Sequence, residues 1–416
     1  MPRSTAYDVI VVGAGPAGSA TAALLAGRGL RVLLLDRAAF PRDKPCGEYA
    51  SPETENILRR LGALDAVEQA GARRLRAFRV ISPAGHVCSM DYADSDYAGH
   101  PQHGSNPNQA PAVLATSRRA LDAVLVDHAR RRGAEVRERV KVESIIAHDG
   151  RVTGVLARDL RGTQEIQARL VVGADGVHSV VVHSLGIAAP IRWPRNLGLV
   201  AHYRGYLGLD DWGEMHVSHR GYAGLAPLSD GVVNVGLVMP MRYAVGTGRM
   251  SAVRRFEAFA FSFEGVARAL AGAERVSPVR GVGPVGARVR RTSGAGYLLV
   301  GDAAGFFDPF TGEGVYRALR GAELAAEVAA DALERHDLSA RSLARYSKLR
   351  RREFLAKDLL CRLVQLFVAV PPAMDYAVLR LGRRQGVRKV LTATLGDLAD
   401  ARTALSPRFL FELLRP

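Results

Sequence analysis

The chain has 416 residues, 48% of them hydrophobic, and a formal charge of +16. That is enough apolar material for two or three domains with full cores. No apolar run reaches the roughly 18 residues a membrane span needs, and no basic stretch is interleaved with aromatics as nucleic-acid binding requires. The basic residues are nearly all arginine, which reads as a composition bias rather than an anionic partner. The three cysteines, Cys46, Cys88 and Cys361, exclude a disulfide framework. Together with a first strand that has no signal peptide ahead of it, they predict a cytoplasmic protein.

Residues 7 to 37 read YDVIVVGAGPAGSATAALLAGRGLRVLLLDR. An apolar strand runs into a glycine turn, an Ala-rich helix and a second apolar strand ending in Asp36. This is a βαβ unit carrying G-x-G-x-x-G as Gly13, Gly15 and Gly18. Gly13 permits the tight turn, Gly15 lets backbone approach a pyrophosphate, and Gly18 lets helix and strand pack closely. The helix N-terminus, at Pro16 and Ala17, offers N–H groups and a positive dipole end to phosphate. Asp36 can accept both ribose hydroxyls of an adenosine. The motif by itself does not choose between FAD and NAD.

Next comes the loop Phe40-Pro41-Arg42-Asp43-Lys44-Pro45-Cys46-Gly47, punctuated by glycine and proline after the second strand. Residues 76 to 90 show strand-like alternation. Residues 91 to 112 are polar and predict a long loop, read as a mobile lid. His100 and His103 lie in it, but no thiolate or carboxylate spacing makes them metal ligands, and no metal is expected. Ser117 to Asp122 opens a helix. Residues 170 to 179, LVVGADGVHS, carry a strand into Gly173-Ala174-Asp175-Gly176.

Strand-like alternation returns over 195 to 240, with a hairpin from Tyr222 through the turn Ser229-Asp230-Gly231 to Val238. Residues 297 to 314, YLLVGDAAGFFDPFTGEG, carry another strand into Gly301-Asp302, then Pro309 and Gly312-Glu313-Gly314, with a helix from about Val315. Both later motifs place Gly and Asp at the carboxyl end of a strand, where open α/β sheets bind ligands. The tail from 336 on reads as helical. Its apolar run Leu359 to Val370 ends at Pro371-Pro372 and follows the basic run Arg350-Arg351-Arg352. Core packing against the nucleotide-type domain is expected there, rather than contact with a membrane surface.

Three such motifs in this order resemble the flavoprotein family of p-hydroxybenzoate hydroxylase, the geranylgeranyl reductases and the flavin-dependent halogenases, over about residues 5 to 335. The resemblance implies an α/β fold: a Rossmann-like, glutathione-reductase-type FAD domain, an inserted β-sheet substrate domain and a C-terminal helical region. The expected pieces are 1–75, 113–185 and 281–335 for the FAD domain, 76–112 and 186–280 for the substrate domain and lid, and 336–416 for the tail. It implies FAD as cofactor and NAD(P)H as a transient electron donor, since no second dinucleotide fingerprint is present. By resemblance, Asp302 beside Gly301 meets the ribityl chain, and the turn from Pro309 through Gly312, Glu313, Gly314 and Val315 lies by the isoalloxazine. Asp175 sits near the pyrophosphate. Arg118, in an R-x-x-L-D segment, and Arg42 are two candidates for the phosphates or ribose, with a surface role open for each. Arg37, Cys46 and Gly47 complete the expected cofactor contacts.

Three chemistries compete. Halogenation in the family needs a lysine after the second strand and a W-x-W-x-x-P segment. Here no lysine occurs between Lys44 and Lys141, and the segment reads YAGLAP. Alkene reduction is suggested by Lys44-Pro45-Cys46-Gly47, which resembles the KPCG of the archaeal reductases and makes Cys46 a candidate proton donor. Hydroxylation through a flavin C4a-hydroperoxide asks mainly for a dry, well-shaped pocket. Sequence reading leans narrowly to this monooxygenase chemistry on an aromatic or polyketide-like molecule. Tyr49, Tyr222, Gly224 and Pro227 are the expected pocket residues, and Gly224 in place of Trp should open space. A flavin carrier without catalysis is a further alternative.

Overall fold

The computed structural model describes residues 7–94, 110–191, 193–245 and 250–415. Most of the expected lid, with His100 and His103, lies outside the described residues.

The first strand, Tyr7–Val12, is buried along nearly its whole length because it is central. It pairs in parallel with Val32–Leu35 on one side and Gly162–Gly173 on the other. Tyr297–Leu299 and Glu135–Arg137 extend the parallel run outward. Period-two alternation then divides the apolar residues between two cores. Val9 and Val11 join the core under the helices, while Ile10 and Val12 join the opposite one. Burying each such side chain contributes roughly 1.5–3 kcal/mol.

The helix Pro16–Ala26 is buried on almost all sides, which explains its Ala-rich, unpatterned sequence. It is sandwiched between the sheet, helix Arg118–Arg131 and helix Gly314–Glu334. The opposite face is covered by the meander Lys141–His148, Arg151–Asp159 and Gly162–Gly173 and by the short helix Val180–Ser184.

A second sheet is built from Asn196–Arg204, Val232–Pro240, Gly221–Pro227, Trp212–Ser218, Ala77–Ile81 and Val87–Asp91. The hairpin read from sequence is present, with Tyr222 opposite Val238. Arg280–Val285 also pairs with Asn196–Arg204. The chain therefore returns to the first sheet at Ser293–Gly294, later than the expected boundary at 281. The pattern there, R-G-V-G-P-V, alternates no more clearly than a loop would.

The tail departs further from expectation. Helix Ala340–Ala369 starts against the flavin-type sheet, where Tyr346 Oη donates to Leu299 O at 2.6 Å. It then runs on to the second sheet. Helices Pro371–Arg383, Gln385–Leu395, Ala401–Ala404 and Pro407–Leu414 follow it there. Met374, Val378, Leu381, Phe409 and Leu413 pack on Val80, Met90, Val217 and Val238. An apolar stripe records that a helix is buried but not which sheet receives it.

Candidate functional site

The three fingerprint glycines do different work. Gly13 has φ +98°, and a Cβ there would lie 2.6 Å from Ala174 O. A Cβ on Gly18 would lie 1.8 Å from Gly13 O. Both positions are closed by the protein's own backbone. A Cβ on Gly15 would meet only the Nη2 atoms of Arg118 and Arg42, at 3.6 and 3.7 Å. Gly15 therefore faces a space bordered by two guanidiniums, at the start of a helix whose first N–H groups have no side-chain cap. That is an anion site by geometry and by charge.

Both arginines are fixed from behind by Asp122, which is fully buried. Arg118 donates to it twice, from Nε and Nη2 at 2.8 Å, and Arg42 Nη1 lies 3.1 Å from it. Asp36 accepts from the N–H groups of Ala14 and Ala38, each at 2.8 Å, and lies 3.7 Å from Arg42. These contacts remove the surface alternative for Arg118 and Arg42. Arg37 is instead exposed. Asp175 uses Oδ2 to accept from Val180 N at 2.6 Å, while its Oδ1 is buried without a partner. Burial raises its pKa. Its neighbours Ala174 and Gly176 line the cavity beside Gly15, Pro16 and Ala17.

At the other end of the crevice, Gly301 has φ +58°, and a Cβ there would come 2.8 Å from Ala17 Cβ. Asp302, Pro309, Gly312, Gly314 and Val315 all line the cavity. Gly312 has φ +69°, and a Cβ would press to 2.8 Å of the Tyr49 ring. Glu313 departs from expectation. Its side chain turns away into the tail, 2.9 Å from Arg317 and 3.5 Å from Lys357, and it accepts from Cys361 Sγ at 3.1 Å. Arg317 and Lys357 hold its carboxyl below the usual range. Arg317 follows on the motif's own helix, but Lys357 and Cys361 lie on helix Ala340–Ala369, which the local motif does not contain.

Lys44, Pro45, Cys46, Gly47 and Tyr49 line the cavity between these two ends. Lys44 is half-buried, and desolvation together with the adjacent Arg118 lowers its pKa. Cys46 is half-buried, and its Sγ accepts from Glu48 N at 3.4 Å. Glu48 escaped the sequence reading. It is buried with a left-handed backbone, φ 55°. Its Oε1 accepts from Arg118 N at 2.8 Å; its Oε2 meets Asn234 Nδ2 at 2.9 Å and His202 Nε2 at 2.7 Å. Asn234 also donates to Cys46 O at 3.0 Å. One carboxylate thus ties the Cys46 loop to the phosphate-end helix and to the second sheet. An acid embedded in a cavity loop, K-P-C-G-E, was the available signal.

Beyond Cys46 the cavity continues between the second sheet and the tail. Its volume is about 350 Å³, and Met90, Met215, Val364, Phe367, Met374 and Leu413 are among its walls. Tyr222 lines it, with its hydroxyl donating to Asp308 at 2.5 Å. Asp308 also accepts from Gln365 Nε2, Phe310 N and Asn196 Nδ2, at 2.7, 3.0 and 3.1 Å. Burial pushes its pKa up to about 6. Gly224 is on the wall, but a Cβ there would lie 3.5 Å from Met215 Cε. The space expected from the missing Trp is thus bordered by a cross-strand methionine. Pro227 is buried at the strand end and does not line the cavity.

The residues present fit FAD. Paired cations and a bare helix N-terminus suit its pyrophosphate. Asp36 suits the adenosine ribose, and the glycine-lined crevice by Asp302 and Gly312 admits a flat ring system.

The FAD binding domain family matches residues 6–357 of the chain. Digeranylgeranylglycerophospholipid reductase 2 of Methanothermobacter thermautotrophicus is 31% identical over 360 residues, covering 85% of each chain. Menaquinone reductase of Mycobacterium tuberculosis is 31% identical over 350 residues, covering 77% of this chain and 76% of that one. The fold matches the flavin-dependent halogenase CmlS with a TM-score of 0.75 at 24% identity, over 85% of this chain and 63% of the halogenase. This chain thus spans under two thirds of that larger enzyme. With fingerprint, arginine pair and Asp302 assembled in one crevice, the chain belongs to the FAD binding domain family, and its relatives include digeranylgeranylglycerophospholipid reductases.

Proposed function

We propose that the protein is an FAD-dependent reductase that saturates alkene bonds in a long, apolar, isoprenoid-like substrate. The observation that carries this reading is the cavity itself. It runs without a break from Asp302 and Cys46 to a hydrocarbon wall of methionines, leucines and phenylalanines under the tail helices. The names of the two relatives, a digeranylgeranylglycerophospholipid reductase and a menaquinone reductase, support the same class. The hydroxylation favoured narrowly from sequence draws no comparable support. Tyr222, a tyrosine of the expected pocket, commits its hydroxyl to Asp308.

When bound and reduced, FAD supplies a hydride to one alkene carbon. The protein's part is to hold the chain, exclude water and protonate the other carbon. The Cys46 thiol borders the cavity and would supply that proton, and Glu48 with Asn234 holds its loop. Electrons arrive from NAD(P)H binding transiently or from a separate reductase.

The test is an anaerobic incubation of reduced, FAD-loaded protein with polyprenyl quinones and polyprenyl glycerolipids, read by mass spectrometry. The expected product gains a hydrogen pair per double bond without oxygen. A product that forms only in air and contains an added oxygen atom would overturn the reading in favour of hydroxylation.

A further inference from the structure

Helix Ala340–Ala369 carries eight basic residues and only two acids, Glu353 and Asp358. Both acids are committed inward. Glu353 accepts from Tyr316 and Arg320, and Asp358 from Arg317. The outward face holds no carboxylate. Read along the helix it is Arg341, Arg345, Lys348, Arg351 and Arg352, then Leu355, Leu359, Arg362, Leu366 and Val370. Of these, Arg345 is neutralised by Glu327 and Asp331. Leu355, Leu359, Leu366 and Val370 are large apolar side chains exposed by 44%, 47%, 54% and 51%. Solitary exposed leucines are ordinary. Four along one stripe, spaced with arginines and free of acids, are not what a solvated face looks like.

The same helix lines the substrate cavity. Leu360, Leu363, Val364 and Phe367 face inward to it. At about 3.6 residues per turn the inward stripe adjoins the outward one. The helix is therefore a single wall with hydrocarbon space on one side and a basic, leucine-bearing face on the other. No described helix is long and apolar enough to cross a membrane.

We infer that this face docks on an anionic lipid surface, with Leu355, Leu359, Leu366 and Val370 entering the interfacial region and Arg351, Arg352 and Arg362 meeting lipid phosphates. Helices that lie in the interface have this composition, with Leu on the buried side and Arg stems reaching up to head groups. The occupant follows from charge. Apart from Arg345, paired with Glu327 and Asp331, the stripe's cations have no carboxylate on the stripe itself, so a second copy of it would repel itself, whereas an anionic bilayer complements it.

The experiment uses the full-length, FAD-loaded protein with phosphatidylcholine vesicles that contain or lack phosphatidylglycerol, read by flotation. Binding is expected to the anionic vesicles and to weaken with salt. The double variant Leu359→Glu/Leu366→Glu, both positions being solvent-facing and outside the cavity, should keep its flavin content and thermal unfolding. It should lose roughly tenfold or more in vesicle affinity. Equal binding of variant and wild type, or no binding to anionic vesicles, overturns the proposal. So does a stable dimer that this variant dissociates. Vesicle binding is measured without turnover, so it stands or falls separately from the reductase reading.

Discussion

The two ends of the crevice are built on opposite principles. The phosphate end is a cluster of charges, each pinned by a short bond: Arg118 and Arg42 on Asp122, Asp36 on Ala14 and Ala38. Most of it comes from the first 122 residues, and its parts belong to recognisable local motifs. The hydrocarbon end has few polar contacts. It is assembled from the second sheet, the turn after Asp302 and the tail helices, which lie far apart in the chain. A charged site needs named atoms at fixed positions, so its sequence is restricted. An apolar cavity needs only shape and dryness, which many side chains supply.

The largest expected contrast lies within the fingerprint itself. Gly18→Val should prevent folding, because its first side-chain atom would collide with Gly13 O. Gly15→Val should fold but emerge colourless, since its first added atom meets only the two guanidiniums, at 3.6 and 3.7 Å, and the space a pyrophosphate would need. Circular dichroism and flavin absorbance on purified variants separate the two. A yellow, fully loaded Gly15→Val would break the assignment of this end.

Next in size is Cys46→Ser, which probes the junction between the ends. Loss of a proton donor should cut alkene reduction roughly a hundredfold or more. Flavin reduction by an artificial donor should survive, because the phosphate end is untouched. Turnover within several-fold of wild type would make Cys46 a packing residue.

A smaller effect concerns Asp308, the charged exception at the hydrocarbon end. Its pKa in the folded protein, about 6, lies above the ordinary 3.8. A raised carboxylate contributes stability that is fully present below the unfolded pKa and is lost as pH rises through the folded one. Between about pH 4 and 6, wild type should therefore lose up to roughly 3 kcal/mol of stability relative to Asp308→Asn. Denaturant melts of both proteins across that range measure it; parallel pH profiles would contradict it.

The mildest change is Gly224→Ala. Its Cβ would make an ordinary contact with Met215 at 3.5 Å. Stability should move by less than about 1 kcal/mol, with any loss confined to the bulkiest substrates. Comparing KM across prenyl chain lengths tests this. A large loss of kcat for every chain length would mean that the wall is tighter than its geometry indicates.

How much was legible follows from the range over which each feature is encoded. The βαβ unit, its three glycines and Asp36 were readable because strand period, turn and helix start all lie within thirty-odd residues. That Asp302 and Gly312 reach the cavity was readable because each sits at a strand end or a forced turn. Arg118 and Arg42 were visible as candidates. That they face Gly15 required knowing that Asp122 lies behind both. The inward direction of the Glu313 side chain was hidden for the same reason, since its partners Lys357 and Cys361 lie over forty residues away. Sequence by itself determined a dinucleotide site and the fold of the nucleotide half, because backbone conformation and short-range periodicity specify them, while the choice of FAD rested on the family resemblance of three separate motifs. Only the tertiary structure decided that the tail closes the second sheet, that Met215 borders the space left at Gly224, and that one helix has the cavity on one side and a basic leucine face on the other. Apolar burial is non-directional, and a stripe of leucines does not say what it meets.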